Sequence, residues 1–138
     1  MIIHILEIMF LTWESLEDLK CQKLSVYSLG LFMTLGFAVR IFYQKTSISE
    51  IIIGMTVGFI VILIAKLTGE AIGYGDGMVI LITGIYSGMK MTVCTLFLAF
   101  LVMMAVAAVL IWRKGFHYNA KLPFVPCILL GYIGGLVI

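Results

Sequence analysis

Charge is what this chain has least of: only 12% of its 138 residues are charged, against 63% that are hydrophobic, and the mean hydropathy is +1.20. That balance excludes an ordinary soluble domain of this length. Paired cysteine motifs are missing too. Cys21, Cys94 and Cys127 lie far apart with no CxxC among them, so neither a zinc site nor a disulfide framework follows. His4 and His117 have no partner at metal-ligand spacing, and neither metal nor cofactor is expected. The first apolar block has Glu7 inside it, no basic residue before it and no small-residue cleavage site after it, which argues against a removed signal peptide. No internal repeat, low-complexity tract or linker divides the chain, so residues 1–138 read as one domain. No nucleic-acid partner is expected.

What the chain does have is a series of long apolar blocks, not one-face helical spacing, which fits helices surrounded by lipid and by one another. The expected fold is all-α: a polytopic transmembrane helical bundle of about six spans. The blocks run from about Ile2 to Leu16, Leu24 to Phe42, Ser49 to Leu67, Met78 to Ser87, Met91 to Trp112, and Pro123 to Ile138. Ser47-Ile48-Ser49-Glu50 fits a capping box at the third, and Pro123 and Pro126 suit the first turn of the sixth. The first and fourth blocks are short for a hydrocarbon core that needs roughly 20 apolar residues. A short fourth helix starts below the membrane surface, which sets the residue before it in a recess; one long helix kinked at Gly88 is the alternative. Most of the glycines within the blocks read as close helix packing. Arg40 and Lys66 fall at span ends where long side chains snorkel, and Trp13, Trp112, Tyr43 and Tyr118 read as interfacial anchors.

Two carboxylates stand in the polar interruptions. Asp18 follows the first block, and Asp76 closes a Gly73-Tyr74-Gly75-Asp76 turn that opens into the fourth. Ionisable residues at membrane depth are functional candidates by default. Their loops are separated by two crossings and so share a side of the membrane. Lys20, Lys23, Lys66, Arg113, Lys114 and Lys121 lie on that side, and Arg40, Lys45 and Lys90 on the other, which makes the aspartate side cytoplasmic and the N-terminus external. Glu7 shares a helix face with Glu14 and Asp18 and is placed near the external interface.

Two adjacent carboxylates cannot easily both ionise, so the pair holds one proton between them. The ionised member can activate water while the protonated one polarises a scissile carbonyl, giving peptide hydrolysis without a metal or a covalent intermediate. Gly73 and Gly75 suit a tight turn and a close approach of a substrate backbone.

These residues resemble the type IV prepilin peptidases, integral-membrane aspartyl proteases with a GxGD turn. Gly69-Glu70-Ala71-Ile72-Gly73-Tyr74-Gly75-Asp76 matches the family's approach to its second catalytic aspartate, with Glu70 as part of the motif. Asp18-Leu19-Lys20-Cys21-Gln22-Lys23-Leu24-Ser25 is similar to the segment of the first, and Pro123-Phe124-Val125-Pro126 to the entry of the last helix. The likeness covers nearly the whole chain. It implies catalysis by Asp18 and Asp76, at the cytoplasmic membrane face, on a prepilin or pseudopilin whose short basic leader is cut from a hydrophobic helix after a glycine. Glu14, Glu17 and Glu70 are candidates to attract the leader's lysines, beside the plainer reading of solvated loop charges. The sequence departs from the family's pattern at Met78, where many relatives have lysine, and at Ser25, where proline is common. The cysteine-rich region of the larger bifunctional relatives is absent, so the resemblance implies cleavage without methylation. A homo-oligomer is compatible with all of this.

Two other classes stay open. A small transporter or ion pathway also uses paired acids and a broken helix, and would show ion flux in liposomes that depends on both aspartates. A cleavage-inactive relative would bind a prepilin without cutting it.

Overall fold

The computed structural model describes residues 1–21, 23–69, 73–114 and 122–138. Helices account for nearly all of them: α1 (Ile2–Cys21), α2 (Val26–Ala38) continued by a π-helical turn at Val39–Tyr43, α3 (Ile48–Leu67), α4 (Tyr74–Lys114) and α5 (Val125–Val137). Three stretches, Val26–Tyr43, Ile48–Leu67 and Tyr74–Arg113, are long and apolar enough to cross a membrane, and α5 is a shorter apolar helix.

Helix α4 is two helices joined at Gly88, whose backbone (φ 77°, ψ 173°) leaves the helical region. Only glycine adopts that conformation without strain. The neighbours of its two halves run in opposite senses. Along the first half, α3 passes antiparallel, with Gly54 against Gly84, Gly58 against Leu81 and Ile62 against Gly77. Along the second, α5 passes with Gly135 against Met91, Gly131 against Thr95 and Ala99, and Cys127 Sγ 3.8 Å from Met103 Sδ. Helix α5 in turn meets α1 through His4 and Tyr132 at one end and Asp18 and Val125 at the other. The first half of α4 therefore climbs from the Asp18 end to the His4 end, and the second half returns. Six helical passes result, as the apolar blocks predict, and the single-kinked-helix alternative is not the one adopted.

The bundle is apolar outside and partly polar inside. Phe59, Phe97, Met104 and Trp112 are exposed, while Glu7, Glu14, Ser15 and Asp18 are buried on α1. That inversion is what a lipid solvent requires, since it cannot hydrate an acid. Trp13 and Tyr43 are exposed as anchors would be, and Tyr118 lies outside the described residues. Phe10, Val79, Ile80, Tyr86, Ile128 and Tyr132 form the core between α1, α4 and α5. The Tyr86 hydroxyl donates to the Phe32 carbonyl of α2 at 2.8 Å. Tyr86→Phe is expected to lower stability by about 1 kcal/mol, read as a fall in detergent-solubilised Tm.

Two local expectations are corrected. Ser47 does stand at the N-cap of α3, but its hydroxyl meets Ser49 Oγ at 3.0 Å and makes no cap hydrogen bond, so no capping box forms. Helix α1 continues past Leu16 to Cys21, and α4 begins at Tyr74, ahead of Met78. Glu7, expected near the external interface, lies toward the His4 end of α1 and is fully buried there, accepting a hydrogen bond from Ser87.

Candidate active site

Asp18 occupies the last turn but one of α1, and its Oδ2 accepts the Val125 backbone N–H at 3.2 Å. That amide opens α5, where Pro126 leaves the first turn short of donors and the chain short of internal partners. The carboxylate thus serves the helix end while the helix end fixes the carboxylate. One residue earlier, Glu17 Oε2 accepts the Ser25 N–H at 3.0 Å at the start of α2. The end of α1 therefore holds the entries of two other helices.

Asp76 lies in the first turn of α4, not in a turn before it. The Gly77 N–H donates to the Gly73 carbonyl at 3.3 Å, so Gly73 is the residue from which the helix starts. The two glycines of the motif act through space and not through unusual dihedrals, because the positive-φ glycines among the described residues are Gly69 and Gly88. A Cβ on Gly75 would stand 2.8 Å from Leu24 Cδ1, and one on Gly73 would stand 3.3 Å from Asp76 Oδ2. Gly75 lets the start of α4 pack on the connection after α1. Gly73 keeps the approach to the carboxylate clear.

Asp18 and Asp76 line one cavity of about 850 Å³, with Leu24, Leu29 and Met33 on one side and Gly73, Gly75 and Met78 on the other. Phe124 closes the α5 side. The two carboxylates thus share one cavity at one end of the bundle. Glu70 lies outside the described residues. Glu14 is corrected as a candidate for attracting lysines: it is fully shielded inside the bundle. Glu17 is engaged with Ser25 and with the Trp13 indole N–H, 3.2 Å from its Oε1.

Two features escaped the sequence reading. Lys23 lines the cavity that Met78 also lines, so a cation stands there although the α4 position lacks one. The Val125 amide is invisible in a side-chain motif, although the proline-rich entry to α5 marks where a free N–H would be. Among the described residues there is no group of three or more side chains able to ligate a metal.

A family model, the type IV leader peptidase family, matches residues 5–109. The chain belongs to that family. The match spans both aspartates and most of the helices that carry them, and with the apolar helices it identifies a membrane protein of a peptidase family. Comparison with curated proteins and with solved structures gives no match.

Proposed function

We propose that this type IV leader peptidase family member is an aspartic endopeptidase of the cell membrane that removes the basic leader of type IV prepilins or pseudopilins at the cytoplasmic face. The carrying observation is the single cavity lined by both Asp18 and Asp76 at one end of the bundle. A cavity so placed admits a peptide whose leader stays in water while its hydrophobic helix remains in lipid. A transporter would need its acids near mid-membrane.

In the mechanism, a water molecule between the carboxylates attacks the scissile carbonyl. Asp18 takes the water's proton. The Val125 N–H supports that role, since a charge-assisted hydrogen bond is strongest to an ionised acceptor. Asp76 carries the proton of the pair and gives it to the carbonyl oxygen. Collapse of the tetrahedral intermediate breaks the C–N bond, the proton on Asp18 passes to the leaving nitrogen, and Asp76 regains one from the intermediate's hydroxyl. The dyad ends with the single proton it began with.

Co-expression with a type IV prepilin, followed by mass spectrometry of the pilin, tests the reading. The expected product is cut after the leader glycine. Cognate prepilins that stay bound but uncut would sink it in favour of a scaffold.

A further inference from the structure

At the opposite end of the bundle from the dyad, α1 and the first half of α4 are joined again. The Ser87 hydroxyl donates to Glu7 Oε2. Glu7 is fully buried, its second oxygen has no hydrogen-bond partner, and Tyr132 of α5, held by His4 at 2.7 Å, borders it. Ser87 is the last residue before the break at Gly88. An acid with no access to water is an expensive way to fill space between helices, and the dyad chemistry does not use it.

The spacing explains its position. Glu7 precedes Asp18 by eleven residues on α1, and Ser87 follows Asp76 by eleven on α4. Eleven residues make three helical turns plus about 20°, so each polar residue stands on the same face as its aspartate, about 16 Å away along the axis. The two helices are thus tied by rungs of equal spacing: Glu7 with Ser87 at one end, Asp18 facing Asp76 across the cavity at the other. Between apolar helices in lipid no hydrophobic force resists an axial slide, so polar contacts and close packing set the register. A slide of one residue moves a carboxylate about 1.5 Å relative to its partner, enough to spoil the reach of a shared water.

We infer that Glu7 and Ser87 form a register latch, a pair of positioning residues that hold the helices of Asp18 and Asp76 at the axial setting where the two carboxylates meet. The latch deepens the proteolytic reading and rests on it for its effect on turnover, but not for its effect on geometry.

Two readouts separate these. In turnover, Ser87→Ala is expected to lower kcat at least about fivefold with KM within about twofold, because the substrate's own contacts are untouched. Ser87→Thr, which keeps the hydroxyl, restores the parental rate. In geometry, Asp18→Cys with Asp76→Cys, in a chain whose Cys21, Cys94 and Cys127 are changed to Ala, is treated in native membranes with a short bifunctional thiol reagent. The cross-linked yield is expected to fall severalfold on adding Ser87→Ala and to return with Ser87→Thr. Equal yields in all three chains would overturn the latch even if the protein cuts prepilins. A yield that follows the hydroxyl, in a protein that cuts no prepilin, would keep the latch and remove the protease.

Discussion

Changing Asp76 to Asn is expected to reduce leader cleavage about a thousandfold or more while the bundle keeps its Tm. The substitution is isosteric and sits where α4 has just begun, so it leaves the start at Gly73 and the packing of Gly75 on Leu24 intact. What it removes is the proton that the mechanism delivers to the scissile carbonyl. Asp18→Asn should be as damaging to turnover, and its amide oxygen can still accept the Val125 N–H. Asp18→Ala is the less clean variant, because it leaves that buried amide without its acceptor and lowers stability by about 1–3 kcal/mol. The comparison is made on purified protein, with cleavage followed by mass spectrometry and folding by intrinsic fluorescence. An Asp76→Asn enzyme that keeps a tenth of parental activity would defeat the two-aspartate mechanism.

The sharing of one cavity by Asp18 and Asp76 was legible in the sequence because both stand at breaks in the apolar pattern, and counting crossings between them needs no tertiary information. The six passes were legible for the same reason. Glycine was read less well. At Gly73 and Gly75 a motif of small residues reads as a turn, yet α4 already starts at Tyr74, because the missing side chains let the first turn lie against Leu24 and beside the Asp76 carboxylate. Freedom of dihedral and closeness of approach leave the same letter in a sequence. Ser47 illustrates a similar ambiguity, since its place at the start of α3 is right and its hydroxyl bonds elsewhere. The burial of Glu7 was not legible because its partner, Ser87, is 80 residues away, and no local pattern links an acid near the N-terminus to a serine at a helix break. The Lys23 cation is a third case: the sequence places it in a connection, and only the fold turns it toward the cavity.

The largest expected loss of stability comes from filling the seam between α3 and the first half of α4. A Cβ on Gly84 would collide with the Gly54 carbonyl, one on Gly54 with the Gly84 carbonyl, and one on Gly58 with the Leu81 backbone. The obstructing atoms are backbone on both helices, so no rotamer change relieves the clash and the helices must separate. In lipid that separation forfeits the van der Waals contact that holds such pairs together, with no hydrophobic gain in return. Gly84→Val is therefore expected to destabilise by about 3 kcal/mol or more, or to prevent accumulation in the membrane. Gly30→Ala is the control, since a Cβ there meets nothing within 4 Å, and its Tm should match or slightly exceed the parent's. The same substitution at Gly84 should also depress cleavage in whatever protein remains folded, because the displaced helix is the one that carries Asp76. Equal Tm values for Gly84→Val and Gly30→Ala would mean that the α3–α4 seam is not closely packed, and with it would go the rigid placement of α4 on which the dyad depends.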